Sequence, residues 1–171
     1  MPNAHCILFA IGTIENYDLR DDHTFYISLP LFHANGLFMQ LLACIMTGAK
    51  AVIRTRFSAS NWLNDIRNYN ITHTNMLGAI AAFIVAQPPT KYDKDHNLEV
   101  IGSAPLPSEP EKIFRNRFGV KYVLPLYGMT EVNIPIYGLK SEIGNGRCGK
   151  LYDKYFEVEI RDPEKDTPVN D

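Results

Sequence analysis

Residues 124–131 read LPLYGMTE, an apolar, strand-like run that ends in an aromatic ring, a glycine, a hydroxyl and a carboxylate. A plain turn needs the glycine and one polar partner. A turn that also carries Tyr127, Thr130 and Glu131 has the groups to hold something. Gly128 lets the backbone turn sharply or approach a bound group closely. Tyr127 offers a flat face, and stacking a base on an aromatic contributes about 1–3 kcal/mol. Thr130 can hydrogen-bond a phosphate oxygen. Glu131 can hold magnesium, which takes oxygen ligands and keeps waters and phosphates in its shell. The plain alternative is a capped turn, with Thr130 and Glu131 opening a helix and Tyr127 in the core.

Working outward, the strand KYVLPLYG (121–128) follows SEPEKIFRNRF (108–118). That segment reads as a helix with Ser108 as its cap and Pro110 in its first turn, ended by Gly119. Before it, LEVIGS (98–103) reads as a strand. GAIAAFIVAQ (78–87) is a helix stopped by Pro88–Pro89, and ITHTNML (71–77) is a strand. SASNWLNDIRNYN (58–70) sets Trp62, Leu63, Ile66 and Tyr69 at helical spacing, with Ser58 and Ser60 as cap candidates and Asn70 to close it. KAVIRT (50–55) is a short strand, Leu37 to Thr47 is a helix stopped by Gly48, and TFYISLPLF (24–32) is a buried strand entering the loop HANG (33–36). Near the end, FEVEIRD (156–162) alternates as a half-exposed antiparallel strand does.

Strand and helix alternating four times predict a single α/β domain over residues 1–171. Its sheet is mostly parallel and flanked by helices, with an antiparallel strand near the C-terminus. Such sheets bind ligands outside the carboxyl ends of their strands. The loops expected there are LFHANG (31–36), MLGA (76–79), GSAPLP (102–107) and LYGMTE (126–131), which are also the most unusual stretches of the chain. In GSAPLP, the small Gly102, Ser103 and Ala104, followed by Pro105, leave backbone amides and carbonyls open to a flat ligand; an ordinary strand-to-helix turn is the alternative. His33, beside Asn35 and Gly36, is either a loop histidine or a general base, and no proton donor for it is visible in the sequence.

The totals exclude several classes. With 171 residues, the chain can bury roughly 70% of its unfolded surface. Its composition, 46% hydrophobic and 21% charged, is that of a globular protein. A net charge of −2, well mixed, provides no field for nucleic acid or an anionic membrane. Cys6, Cys44 and Cys148 lack CxxC spacing and read as reduced, buried thiols, and the five histidines lack the paired spacing of a zinc site. No apolar run is long enough for a membrane span and no signal peptide opens the chain, so a cytoplasmic location is expected.

Four of these stretches, SLPLFHANG (28–36), ITHTNML (71–77), IGSAPLPSE (101–109) and LYGMTE (126–131), occur in the order and spacing of the adenylate-forming acyl-CoA synthetase superfamily, which the chain therefore resembles. GNGRCGKLYDKYFEVEIRD (144–162) is similar to that family's glycine-containing stretch before its next β region. LRDD (19–22), VAQPP (85–89) and EVEIRD (157–162) are similar to the crotonobetaine/carnitine-CoA ligase branch. The resemblance implies that a carboxylate attacks ATP to give an acyl-adenylate and pyrophosphate, and that coenzyme A then displaces AMP. It implies that Gly102, Ser103, Ala104 and Pro105 line the adenine, with Tyr127, Gly128 and Met129 against it. Thr130 would contact the α-phosphate and Glu131 would hold Mg2+, the two acting as the catalytic pair. His33, Asn35, Gly36, Met76, Leu77 and Gly78 would border the acyl pocket. The family often has Val-Pro where this chain has Leu77–Gly78.

The family's Gly-rich phosphate loop, ribose-binding aspartate and C-terminal lysine domain find no match in these residues. The expectation is an internal piece of the large N-terminal domain, inactive alone and prone to self-associate through apolar faces. A nucleotide-binding or interaction module of the same fold is the competing reading, and an unrelated flavodoxin-like domain ranks last.

Overall fold

Most central strands bury apolar residues on both faces, and alternation sorts those residues to two cores. In β1 (Thr24–Ile27), Phe25 and Ile27 face one core while Tyr26 faces the other. Val100 and Ile101 in β4 (Val100–Ala104), and Leu124 and Val123 in β5 (Tyr122–Met129), divide in the same way. A sheet with two dry faces needs helices on both, and the computed structural model, which describes residues 1–141 and 147–169, has them.

The seven strands lie in the order β2-β1-β3-β4-β5-β6-β7, adding β2 (Lys50–Ile53), β3 (His73–Leu77), β6 (Asn133–Tyr137) and β7 (Lys150–Leu151). The first five are parallel and the last two antiparallel, as expected of the adenylate-forming N-terminal domain. On one face lie α1 (Asn3–Tyr17), a π-helical segment (Asn35–Leu42) and its continuation α2 (Ala43–Thr47), burying Phe9, Tyr17, Met39 and Ala43 against the sheet. On the other lie α3 (Ala59–Asn68), α4 (Gly78–Val85) and α5 (Ser108–Asn116), whose Trp62, Ile66, Ile84 and Phe114 form the second core.

Three expectations change in detail. The antiparallel partners are β6 and β7, whereas 156–162 carries a single isolated bridge, Arg161 to Pro168. Its alternating Val158 and Ile160 are 52% and 72% exposed, so the pattern has no sheet face to meet among the described residues. Ser108 is the first residue of α5 rather than its cap, which is Pro107; Ser58 does precede α3, but its side chain makes no capping bond. Of the three cysteines only Cys44 is buried, its thiol pushed up to about 12 by desolvation, while Cys148 is exposed. Residues 144–146 of the glycine-containing stretch lie outside the described residues.

The strand order positions the site. From β1 the chain crosses to β2 on one side and then returns to β3 on the other, so connections leave neighbouring strands for opposite faces. The π-helical segment goes to the α1 face and α4 to the other. A crevice at the carboxyl ends is the geometric result.

Candidate nucleotide and acyl site

Two clefts open at that edge, one on each side of the strand ends, and both touch Ala104, Leu126 and Gly128. The first, about 420 Å³, is walled by Pro105 and Leu106 after β4, Ser108 and Glu111 of α5, Pro125 and Tyr127 of β5, and Arg147 and Cys148. The second, about 320 Å³, has an apolar floor of Phe9, Met39, Leu126 and Ile134 beneath His33, Asn35, Leu77, Thr130 and Glu131. The loops around His33, Ala104 and Tyr127 thus meet at one rim.

Strand β5 explains how Tyr127 comes to be offered to a ligand. The strand runs on through Met129 and turns back into β6, with a bulge between Tyr127 and Met129. This hairpin rules out the capped-helix alternative for 130–131. Bulges re-aim side chains at the edges of sheets, and Tyr127 stands 51% exposed beside the first cleft. Gly128 sits within the bulge, where a Cβ would lie 2.1 Å from the Asn133 carbonyl oxygen. The glycine is therefore required by the close approach of β6.

The remaining candidates separate by depth. Ala104 and Pro105 form cleft walls, but Gly102 and Ser103 lie beneath the rim. A Cβ at Gly102 would meet the Tyr17 hydroxyl at 1.6 Å, so its missing side chain makes room for Tyr17 rather than for a ligand. Ser103 is fully buried and donates its hydroxyl to the Pro105 carbonyl at 2.9 Å. Met76 points into the second core at 1% exposure, because alternation along β3 turns it away from Leu77, which does line a cleft. Gly36 and Gly78 are buried against the backbone of Pro30 and Pro105, respectively.

The second cleft is held from below by a polar network. Tyr17 donates to Asn75 Oδ1 at 3.4 Å, Asn75 Nδ2 donates to Asn35 Oδ1 at 3.2 Å, and Gln40 Nε2 donates to the same oxygen at 2.8 Å. Burial raises the Tyr17 hydroxyl far above its ordinary range, so it stays a donor. His33 Nδ1 accepts the Asn35 N–H at 3.2 Å, which leaves its other ring nitrogen outside that bond.

Magnesium suits Glu131 only in company. Among the described residues no cluster of three or more His, Cys, Asp or Glu side chains could cage an ion. One carboxylate beside the Thr130 hydroxyl fits an ion that completes its shell with waters and phosphates. The resident charge in the second cleft is Glu131 itself, so a bound triphosphate would need that cation to be tolerated there.

Several lining residues carry no site signal in the sequence, among them Phe9, Met39, Glu111 and Ile134. Arg147 and Cys148 reach the first cleft from a segment with no element of its own, and Phe9 reaches the second from α1. Arg147 and Cys148 belong to the glycine-containing stretch 144–162, whereas Phe9 lies in no motif.

A mostly parallel sheet with helices on both faces and paired clefts at its carboxyl edge is the architecture of the adenylate-forming N-terminal domain. The model of the family described as AMP-binding enzyme matches residues 3–171, and the chain belongs to that family. Over 150 residues it is 34% identical to long-chain fatty acid transport protein 6 of Mus musculus, covering 86% of the chain and 24% of that protein. To long-chain fatty acid transport protein 2 of Rattus norvegicus it is 30% identical over 172 residues, covering 99% and 28%. The chain thus spans about a quarter of the length of these relatives. Its fold superposes on a benzoate CoA ligase from Burkholderia xenovorans LB400 with a TM-score of 0.82 at 23% identity, covering 96% of the chain and 35% of the ligase. On O-succinylbenzoate coenzyme A synthetase from Bacillus subtilis, in complex with ATP and magnesium ion, the TM-score is 0.78 at 21% identity, covering 98% and 34%. The narrower likeness to carnitine-CoA ligases is not carried by these relatives. Among the described residues no helix is long and apolar enough to cross a membrane.

Proposed function

We propose that this chain forms the adenylate-binding part of an acid–CoA ligase. The carboxylate oxygen of the substrate attacks the α-phosphorus of ATP, the bond to pyrophosphate breaks, and an acyl-adenylate results. The sulfur of coenzyme A then attacks the acyl carbon and AMP leaves. The observation that carries the reading is the junction of the two clefts along Ala104, Leu126 and Gly128, which leaves room for adenine on one side and an acyl group on the other. Tyr127 and Pro105 hold the base, Thr130 contacts the α-phosphate, and Glu131 holds Mg2+. His33, Asn35 and Leu77 border the reacting carboxylate.

The acyl substrate we favour is a long-chain fatty acid. Phe9, Met39, Leu126 and Ile134 give the second cleft an apolar floor, which suits a hydrocarbon better than the quaternary ammonium of carnitine. The names of the relatives point the same way. The 171-residue chain binds without turnover in this reading, since among the described residues no lysine or arginine lines the cleft around Thr130 and Glu131. Joining two anions needs such charge.

ATP–pyrophosphate exchange tests both parts. Exchange is expected with a long-chain fatty acid, and far less with carnitine, in a protein that carries the rest of the relatives' length. None is expected from the 171-residue chain. Faster exchange with carnitine would overturn the substrate assignment, and exchange by the short chain would overturn its proposed inactivity. A long protein that binds AMP but exchanges with no acid would favour a non-catalytic nucleotide-binding module.

A further inference from the structure

The tip of the β5–β6 hairpin, which presents Thr130 and Glu131, is held from outside the sheet. His5, in the first turn of α1, bonds the Thr130 carbonyl oxygen through Nε2 at 2.9 Å. Asn133 returns the contact, donating Nδ2 to the His5 carbonyl at 2.9 Å. The two residues are 128 positions apart, yet each bonds the segment that carries the other.

Asn133 is itself fixed. It is 1% exposed, its Oδ1 accepts the Ile134 N–H at 2.9 Å, and its φ of 67° lies in the left-handed region, which asparagine tolerates better than most residues. His5 packs its ring edge-on to Phe9, whose side chain is part of the acyl-cleft floor. A carbonyl held at Thr130 sets the peptide plane between residues 130 and 131, and with it the direction in which Glu131 leaves the backbone.

We infer that His5 and Asn133 are positioning residues that hold Thr130 and Glu131 for a magnesium–nucleotide complex; the inference rests on the adenylate reading above. The clasp acts on the phosphate and metal end of the ligand. It does not touch Tyr127 or Pro105 at the base end. Its loss is therefore expected to split two affinities that a general loosening of the fold would lower together.

The test is calorimetric titration of the 171-residue chain with adenosine, which lacks phosphate, and with ATP plus magnesium. His5→Ala and Asn133→Gly are compared with the wild type, glycine being chosen because it accepts the left-handed backbone at 133. Each variant is expected to weaken magnesium–ATP binding roughly fivefold, the size of one or two lost hydrogen bonds, with adenosine binding, which involves no phosphate, unchanged. His5→Gln, which places an amide nitrogen near the position of Nε2, is expected to restore the wild-type value. Equal losses for both ligands would mark a merely structural contact and overturn the inference, as would wild-type affinities in both variants. Failure of the wild type to bind either ligand would overturn the adenylate reading itself, and the clasp's role with it. A variant that binds adenosine as the wild type does has thereby kept its fold.

Discussion

Alanine at position 128 is expected to lower AMP affinity at least tenfold and to destabilise the protein by about 1–3 kcal/mol, the usual range for overpacking. The reason is the position of the added methyl group. It would sit 2.1 Å from the Asn133 carbonyl oxygen and 2.8 Å from the Ile134 Cα, both backbone atoms of the paired strand. A flexible side chain could move aside, but a strand cannot do so without breaking the ladder that joins Tyr127 to Ile136 and Met129 to Asn133. The bulge would open, and Tyr127 and Thr130 would move on opposite sides of it. Hydrogen exchange is expected to rise in β5 and β6 while β1, β3 and β4 stay protected. An affinity equal to that of the wild type would show that the bulge does not present the site.

The second large effect is on stability and depends on acid. His73 is buried at the N-terminal end of β3, packed 4.5 Å from the His23 ring, with Nε2 at 3.2 Å from the Tyr17 carbonyl oxygen. Burial lowers its pKa to about 4, with the nearby His23 adding to that and the Tyr17 carbonyl opposing it. In the unfolded chain the ring takes a proton near 6.5. Below that value the unfolded state binds a proton that the native state refuses. The native fold is therefore fully favoured above pH 6.5 and loses ground as pH falls toward 4, after which this group causes no further loss. About 2 kcal/mol is expected to be gone at pH 5. Denaturant unfolding at pH 7 and pH 5, in the wild type and in His73→Gln, measures it. The wild type is expected to lose that amount more than the variant does. Equal losses would mean that His73 is charged or solvated in the native state.

The parallel sheet was legible because its strands are short and alternate with helical segments that end in glycine, asparagine or proline. Alternation did the rest, since Phe25 and Tyr26 can both be buried only between two layers. The π-helical turns of 35–42 were not legible, because an apolar run signals a helix but not which carbonyl each N–H will meet. β6 was hidden by Pro135, which argues against a central strand. Depth at the site was legible only in part. Residues 102–104 read as one open stretch, yet Tyr17, 85 positions earlier, fills the space over Gly102. The His5–Asn133 clasp left no trace in local spacing, because contacts between distant segments form only when the chain has folded.

On the proposed reading, the loops after β1, β4 and β5 meet to grip an adenylate. Titration of the chain with AMP, repeated with Tyr127→Ala, is its most direct test. Saturable binding is expected, weakened about tenfold to a hundredfold by the substitution, the worth of one stacked base. Absence of AMP binding, or binding that ignores the loss of the ring, would contradict it.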